Sequence, residues 1–141
     1  MSWKRKRLAP EVIQTSEMDC GPAALKCLLE GFGITANYQQ LRDQCATDVD
    51  GTSLGALGSI AREMGLDADG ILVPRDSLTL AEADCLPAIA ATRSGDGLHF
   101  IVVWSVHGSW VQVMDPAVGR RWVHRDRLLD EVAALTIGMP I

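Results

Sequence analysis

The sequence predicts an α+β fold in a single domain, with N-terminal helices packed on a C-terminal antiparallel sheet. Apolar residues recur at helical spacing in the first half of the chain. Runs rich in Val, Ile and Trp follow in the second half, and Gly-containing turns separate those runs. With 141 residues, 48% hydrophobic and 22% charged, the chain has material for one real core and too little for two comfortable ones. Residues 1–141 are therefore expected to be one domain.

Taken in order, residues 1–10 are expected to be a flexible lead-in, and 11–14 a short extended segment. Helical spacing then runs over 20–30, where Ala24, Leu25, Leu28 and Leu29 form an apolar stripe. Asp19 is a candidate cap, Pro22 suits the first turn, and Gly31 and Gly33 stop the helix. A second helix fits 38–45, opened by Asn37, and a third fits 54–64, capped by Thr52 or Ser53 and ended by Gly65. Residues 70–73 read as a strand and 77–83 as a helical turn or loop. Strands are expected over 86–92, 99–106, 110–114 and 121–124, with turns at Gly95-Asp96-Gly97 and His107-Gly108-Ser109. A surface helix over 125–133 and a short strand over 135–138 complete the chain.

Several classes of function are excluded. A net charge of -5 argues against nucleic acid, whose phosphates need a concentrated basic face. The one basic run, Lys4-Arg5-Lys6-Arg7, lacks the apolar stretch of a signal peptide, and no apolar run approaches the roughly 20 residues of a membrane span. Cys20, Cys27, Cys45 and Cys85 form no C-x-x-C pair and no zinc-like grouping with His107 or His124. Cys27, Cys45 and Cys85 read as reduced core residues, and no metal or cofactor is expected. Asp48-Val49-Asp50-Gly51-Thr52 is a turn, because Ser53 and Ser59 stand where a calcium loop would need its glycine and closing glutamate.

The chemistry is expected at Gln14-Thr-Ser-Glu-Met-Asp19-Cys20-Gly21-Pro22. Cys20 falls at the first turn of a helix, where unpaired N–H groups and the helix dipole favour thiolate over thiol. A thiolate nucleophile also needs a base, a group to orient that base, and donors for an oxyanion. His99 opens a strand, and Asp115, in Met114-Asp115-Pro116-Ala117, ends the next. A hairpin turning at His107-Gly108-Ser109 is expected to bring positions 99 and 115 level, so that base and orienter touch. Gln14, six positions before Cys20, supplies an amide that with the Cys20 N–H makes an oxyanion hole. Glu17, His107 and His124 are read as surface residues.

In this order the residues resemble the bacteriocin-processing cysteine peptidase domain found at the N-terminus of peptidase-containing ABC transporters. The resemblance runs from Val12 to about Val123. It takes in Gln14 with Asp19-Cys20-Gly21, then Leu86-Pro87-Ala88-Ile89, His99-Phe100-Ile101-Val102-Val103, and Trp110-Val-Gln-Val-Met-Asp115-Pro116-Ala117. The intervals, 79 from Cys20 to His99 and 16 from His99 to Asp115, make the set specific. It implies a papain-like fold with Cys20 as nucleophile, His99 as general base and acid, Asp115 as orienter and Gln14 as oxyanion donor. It further implies cleavage of precursor peptides after a Gly-Gly or Gly-Ala leader motif, coupled to export. The implied partners are that leader peptide and the transmembrane and ATP-binding domains of a transporter. The implied place is the cytoplasmic face of a bacterial cell membrane; a soluble domain excised from the larger protein or a stand-alone protease would each fit, and the former is expected.

Three other functions are weighed: a non-catalytic leader-docking module, another papain-like acyl-transfer enzyme, and a redox-sensing thiol protein. The presence of Gln14, Cys20, His99 and Asp115 together favours the active peptidase.

Overall fold

The computed structural model describes residues 6–45, 54–66, 71–74, 79, 86–94, 97–132 and 135–138. A 3-10 turn, Glu17–Asp19, leads into α1 (Cys20–Gly31), followed by α2 (Tyr38–Cys45) and α3 (Leu54–Glu63). Among the described residues six strands and one further helix follow α3: β1 (Ile71–Pro74), β2 (Ala88–Ser94), β3 (Gly97–His107), β4 (Trp110–Asp115), β5 (Gly119–His124), then α4 (Arg125–Glu131) and β6 (Leu135–Gly138). They form one antiparallel sheet in the order β1-β6-β2-β3-β4-β5. The expected α+β layering is present.

Strand alternation divides the core into two layers. Phe100, Val102 and Trp104 of β3, with Met114 of β4, face the apolar side of α1, where Ala24, Leu25 and Leu28 are fully buried. The intervening residues Ile101 and Val103 join Val111, Val113 and Val123 under Leu128 of α4. Both faces of β3 and β4 carry buried residues, so α4 packs with a buried side although it runs along the surface.

The helix limits follow their local chemistry. Asn37 accepts a hydrogen bond from the Gln40 N–H at 3.0 Å, the cap expected for α2. Gly65, with φ +109, ends the α3 region in a conformation that L side chains rarely adopt. Gly31 acts differently from the expected stop. It lies inside α1, where a Cβ would overlap the Trp104 ring, while Phe32 caps the helix and Gly33 takes the positive φ of 82°. Thr52 and Ser53, Cys85, the Asp48-Val49-Asp50-Gly51-Thr52 turn, residues 95 and 96, and most of 77–83 lie outside the described residues.

Residues 6–10, expected to be a flexible lead-in, are instead strapped to the fold. Lys6 donates its N–H to Gly31 O and its carbonyl accepts from Trp104 Nε1 at 3.0 Å. Gln112, fully buried on β4, accepts from the Ala9 N–H at 2.7 Å and donates to Arg7 O at 3.1 Å. Its amide also donates to Ser105 Oγ at 3.0 Å. Arg120 donates to Ala9 O through Nε and NH2 at 3.1 and 2.7 Å. A buried amide satisfied by distant backbone groups was invisible to hydropathy. Its effect is to lead the chain across the sheet to Gln14.

Candidate active site

Cys20 is the first residue of α1 and is 8% exposed. Its position follows from the 3-10 turn, whose Asp19 N–H bonds Ser16 O at 3.1 Å and delivers the thiol to the helix tip. Burial alone would raise the thiol pKa. A hydrogen bond with His99, the Phe100 N–H, the His99 charge and the Gly21 N–H outweigh burial, in that order, and hold the thiol below its ordinary value. The Gly21 N–H belongs to the helix start, so the expected helix-end effect contributes. The imidazole contributes more.

His99 lies on β3, opposite Thr92, whose Oγ1 donates to the His99 carbonyl at 3.0 Å. Its Nε2 is 2.7 Å from Asp115 Oδ1, which leaves Nδ1 for the thiol. The hydrogen bonds to Asp115 and Cys20 raise the imidazole pKa to about 9 against the opposing effect of burial. Burial would raise Asp115, but the His99 bond, the Ala117 N–H, the His99 charge and Arg121 bring it below the ordinary carboxylate range. Of the three groups, His99 and Asp115 are joined by a 2.7 Å hydrogen bond, and the thiol lies near enough to the imidazole for each to shift the other's pKa.

The hairpin reaches this contact by a different register from the expected one. The turn closes on His107↔Trp110, and the ladder shifts between Val103 and Ser105 as Trp104 bulges into the α1 side of the core. The last pair, Val102↔Met114, then places Asp115 beside Ile101 and two residues from His99. Positions 99 and 115 are not level. They share a sheet face, and the longer side chains meet on the diagonal.

Gln14 is brought to the same end of the sheet by its N–H, which donates to Pro116 O at 2.8 Å. Its side-chain Oε1 is buried with no hydrogen-bond partner among the described residues. Such an orphan is unusual in a folded interior; the oxygen is an acceptor, and the donor end of the same amide is its Nε2.

Asp19 does not cap α1 with its side chain, contrary to expectation. It is buried and receives Thr15 Oγ1 at 2.8 Å and Arg42 Nε at 3.0 Å, with Tyr38 OH at 3.4 Å. A cap needs the carboxylate turned toward the next N–H groups, and the Tyr38 hydroxyl and the Arg42 guanidinium, both on α2, turn it away from them. His107 and His124 are exposed as expected, and His124 Nδ1 also accepts from the Asp126 N–H at 3.2 Å to cap α4. Sequence reading missed Arg121, whose NH2 lies 3.6 Å from Asp115 Oδ2 and 3.4 Å from Glu131 Oε2. The signal was present: in a strand, Arg121 shares a face with the buried Val123 two residues on.

Among the described residues no group of three or more His, Cys, Asp or Glu is placed to hold a metal ion. No helix among them is long and apolar enough to cross a membrane.

The profile of the Peptidase C39 family matches residues 9–138. An uncharacterized protein of Methanothermobacter marburgensis is 35% identical over 84% of this chain and 81% of its own length. The lactococcin-G-processing and transport ATP-binding protein LagD of Lactococcus lactis is 33% identical over 77% of this chain, which corresponds to 16% of LagD. Among solved structures, a double glycine motif protease from an AMS/PCAT transporter, in complex with a leader peptide, superposes with a TM-score of 0.82. It is 21% identical, with 100% of both chains covered. The peptidase domain of Streptococcus ComA gives a TM-score of 0.79 at 22% identity, covering 94% of this chain and 99% of that one. At these identities the superpositions show the fold, which is the papain-like one expected.

Proposed function

This chain belongs to the Peptidase C39 family, a family of cysteine peptidases, and from that premise we propose that it removes leaders from precursor peptides after a Gly-Gly or Gly-Ala pair. Cys20 is the nucleophile, His99 the base and acid, Asp115 the orienter and Gln14 the oxyanion donor. The observation that carries this reading is the 2.7 Å His99–Asp115 hydrogen bond beside Cys20 at the tip of α1, with the thiol shifted down and the imidazole shifted up. Those opposed shifts favour a thiolate–imidazolium pair near neutral pH.

The Cys20 thiolate attacks the carbonyl carbon of the last leader residue, the second of the pair, and the C=O electron pair moves to oxygen. That oxyanion is stabilised by the Gln14 amide N–H and the Cys20 N–H. Collapse breaks the C–N bond as the His99 imidazolium gives its proton to the departing cargo amine, leaving a thioester on Cys20. Neutral His99 then takes a proton from water, whose oxygen attacks the thioester. The sulfur leaves as thiolate with imidazolium beside it, and the leader acid is released. Asp115 keeps Nδ1 aimed at sulfur and stabilises each imidazolium state.

The resemblance to LagD and to the transporter protease supports a partnership with transmembrane and ATP-binding domains at the cytoplasmic face of a cell membrane. On this proposal the chain is the peptidase part of such a transporter. Leader peptides varied at their last two residues, incubated with the chain and read by mass spectrometry, test it. Cleavage is expected after Gly-Gly and Gly-Ala and lost in Cys20→Ala while binding survives. Leader binding without cleavage by the wild-type chain would instead leave a docking module.

A further inference from the structure

Asp19 precedes the nucleophile, is 5% exposed, and has no part in the chemistry above. A buried carboxylate needs donors, and its three come from two separate segments. Thr15 Oγ1 lies 2.8 Å from Asp19 Oδ2 on the same loop, while Arg42 Nε at 3.0 Å and Tyr38 OH at 3.4 Å come from α2. The Tyr38 oxygen also accepts from the Thr15 N–H at 3.1 Å. Thr15 is thus held by both backbone and side chain, and the residue before it is Gln14.

Gln14 has its own N–H on Pro116 O at 2.8 Å. The peptide that directs its side chain is therefore pinned on one side to the Asp115 loop and on the other to Asp19 and α2. The thiol is held by different groups: His99, the Phe100 N–H and the Gly21 N–H. The side-chain partners of the thiol are thus distinct from those that fix the Gln14 peptide, although Asp19 and Cys20 share a peptide bond.

We propose that Asp19 is a positioning residue for Gln14, fixing through Thr15, Tyr38 and Arg42 the direction in which that amide enters the site. It rests on the reading of Gln14 as oxyanion donor and adds how the donor is aimed. A misaimed donor weakens stabilisation of the tetrahedral intermediate and leaves thiolate reactivity intact. Asp19 therefore acts on acyl transfer and not on ionisation of Cys20.

Two reagents separate these effects without any leader peptide. p-Nitrophenyl acetate acylates a thiolate through a tetrahedral oxyanion and expels p-nitrophenolate, whereas iodoacetamide alkylates by direct displacement of iodide with no oxyanion. In Asp19→Asn, acylation is expected to slow about 10- to 100-fold, below the roughly 100- to 1000-fold of removing a donor outright. Alkylation should stay within about twofold of wild type at each pH, since thiolate content sets that rate. In a Gln14→Ala background, Asp19→Asn should cause no further loss. Should Asp19→Asn fail to fold, Tyr38→Phe and Arg42→Gln keep the carboxylate and remove one donor each, with the same expected pattern in smaller measure.

The proposal falls if the folded variants acylate at the wild-type rate, if the loss is equal in the Gln14→Ala background, or if alkylation slows in step with acylation. A wild-type chain that takes the acetyl group yet leaves double-glycine peptides intact would undo the proposed substrate and leave this test standing. One that takes no acetyl group at all overturns both.

Discussion

His99 and Asp115 stand two residues out of step across the β3–β4 hairpin, yet Nε2 and Oδ1 meet at 2.7 Å. The carboxylate therefore approaches the imidazole along the diagonal of the sheet. The contact raises His99 to about 9 and helps to lower Asp115, so each group holds its charge over a wide pH range.

The first prediction is a bell-shaped dependence of kcat/KM on pH. Activity should be lost on the alkaline side through about pH 9, as the imidazolium gives up its proton. On the acid side it should fall where the thiolate is protonated, below the ordinary thiol range, with both limbs belonging to the coupled pair. Asp115→Asn keeps the shape and removes the charge. Its alkaline limb should move toward the ordinary histidine value of about 6.5, with activity down about 100- to 10,000-fold. A limb that stays in place in the variant would remove Asp115 from this role. The same shifts act on stability. The folded state binds the His99 proton more tightly than the unfolded chain, so that contribution is complete below about 6.5 and is lost as pH rises through about 9. The Asp115 contribution runs the other way, present above the ordinary carboxylate range and lost as pH falls through its lowered value. Denaturation midpoints across pH should trace both edges.

The second prediction is selective alkylation. Burial pushes Cys27 up to about 12 and Cys45 up to about 11, and neither has a cation hydrogen-bonded to it among the described residues. At pH 7 a thiol of pKa 12 is ionised to about one part in 100,000. Iodoacetamide on the folded chain should therefore label Cys20 and leave Cys27 and Cys45 untouched until denaturant is added, as peptide mapping would read directly. Labelling of Cys27 before Cys20 would contradict the assignment of the reactive thiol.

The sequence was most legible where one residue type does one thing. Asn37 before an apolar-periodic run has a single good use, and the cap is there. Cys20, His99 and Asp115 could be paired because a thiolate must have a base and that base an orienter. The register between the last two could not be read, since the extra residue at Trp104 carries no local turn or glycine signal and its indole is buried against Gly31, 73 residues away in sequence. Asp19 was misread for a related reason. Its local neighbours suit a helix cap, and only the arrival of Tyr38 and Arg42 from α2 turns the carboxylate away. The strap over 6–10 looked free because its attachments are backbone groups, which carry no sequence signal of their own.

The third prediction concerns Gly31. A methyl group there overlaps the Trp104 ring, which is fully buried and cannot withdraw without displacing Phe32, whose ring centroid lies 6.1 Å away. Gly31→Ala should destabilise the fold by about 1–3 kcal/mol despite the better helix propensity of alanine. The site lies at the other end of α1, about 16 Å away at 1.5 Å per residue, so kcat below the unfolding transition should be close to wild type. Denaturant midpoints and kcat on the same preparation check both halves; a stability gain would show that the indole moves freely.

The fourth prediction tests whether the strap serves the site. Gln112→Leu has nearly the same volume but leaves the buried Ala9 N–H and the Arg7 carbonyl without their partner. One buried group so orphaned costs about 1–3 kcal/mol, and the chain can avoid that cost by detaching the strap into water. Detachment would loosen the path that runs from Ala9 through Glu11, which bonds the Arg120 N–H at 3.0 Å, to Gln14 on Pro116. The thiol and imidazole take no support from that path. Peptide cleavage should therefore fall several-fold while Cys20 alkylation is unchanged, and hydrogen exchange should rise at Ala9 and Gln14 but not at Phe100. If exchange rises at Phe100 as well, the strap supports the whole sheet and its link to Gln14 is not a separate one.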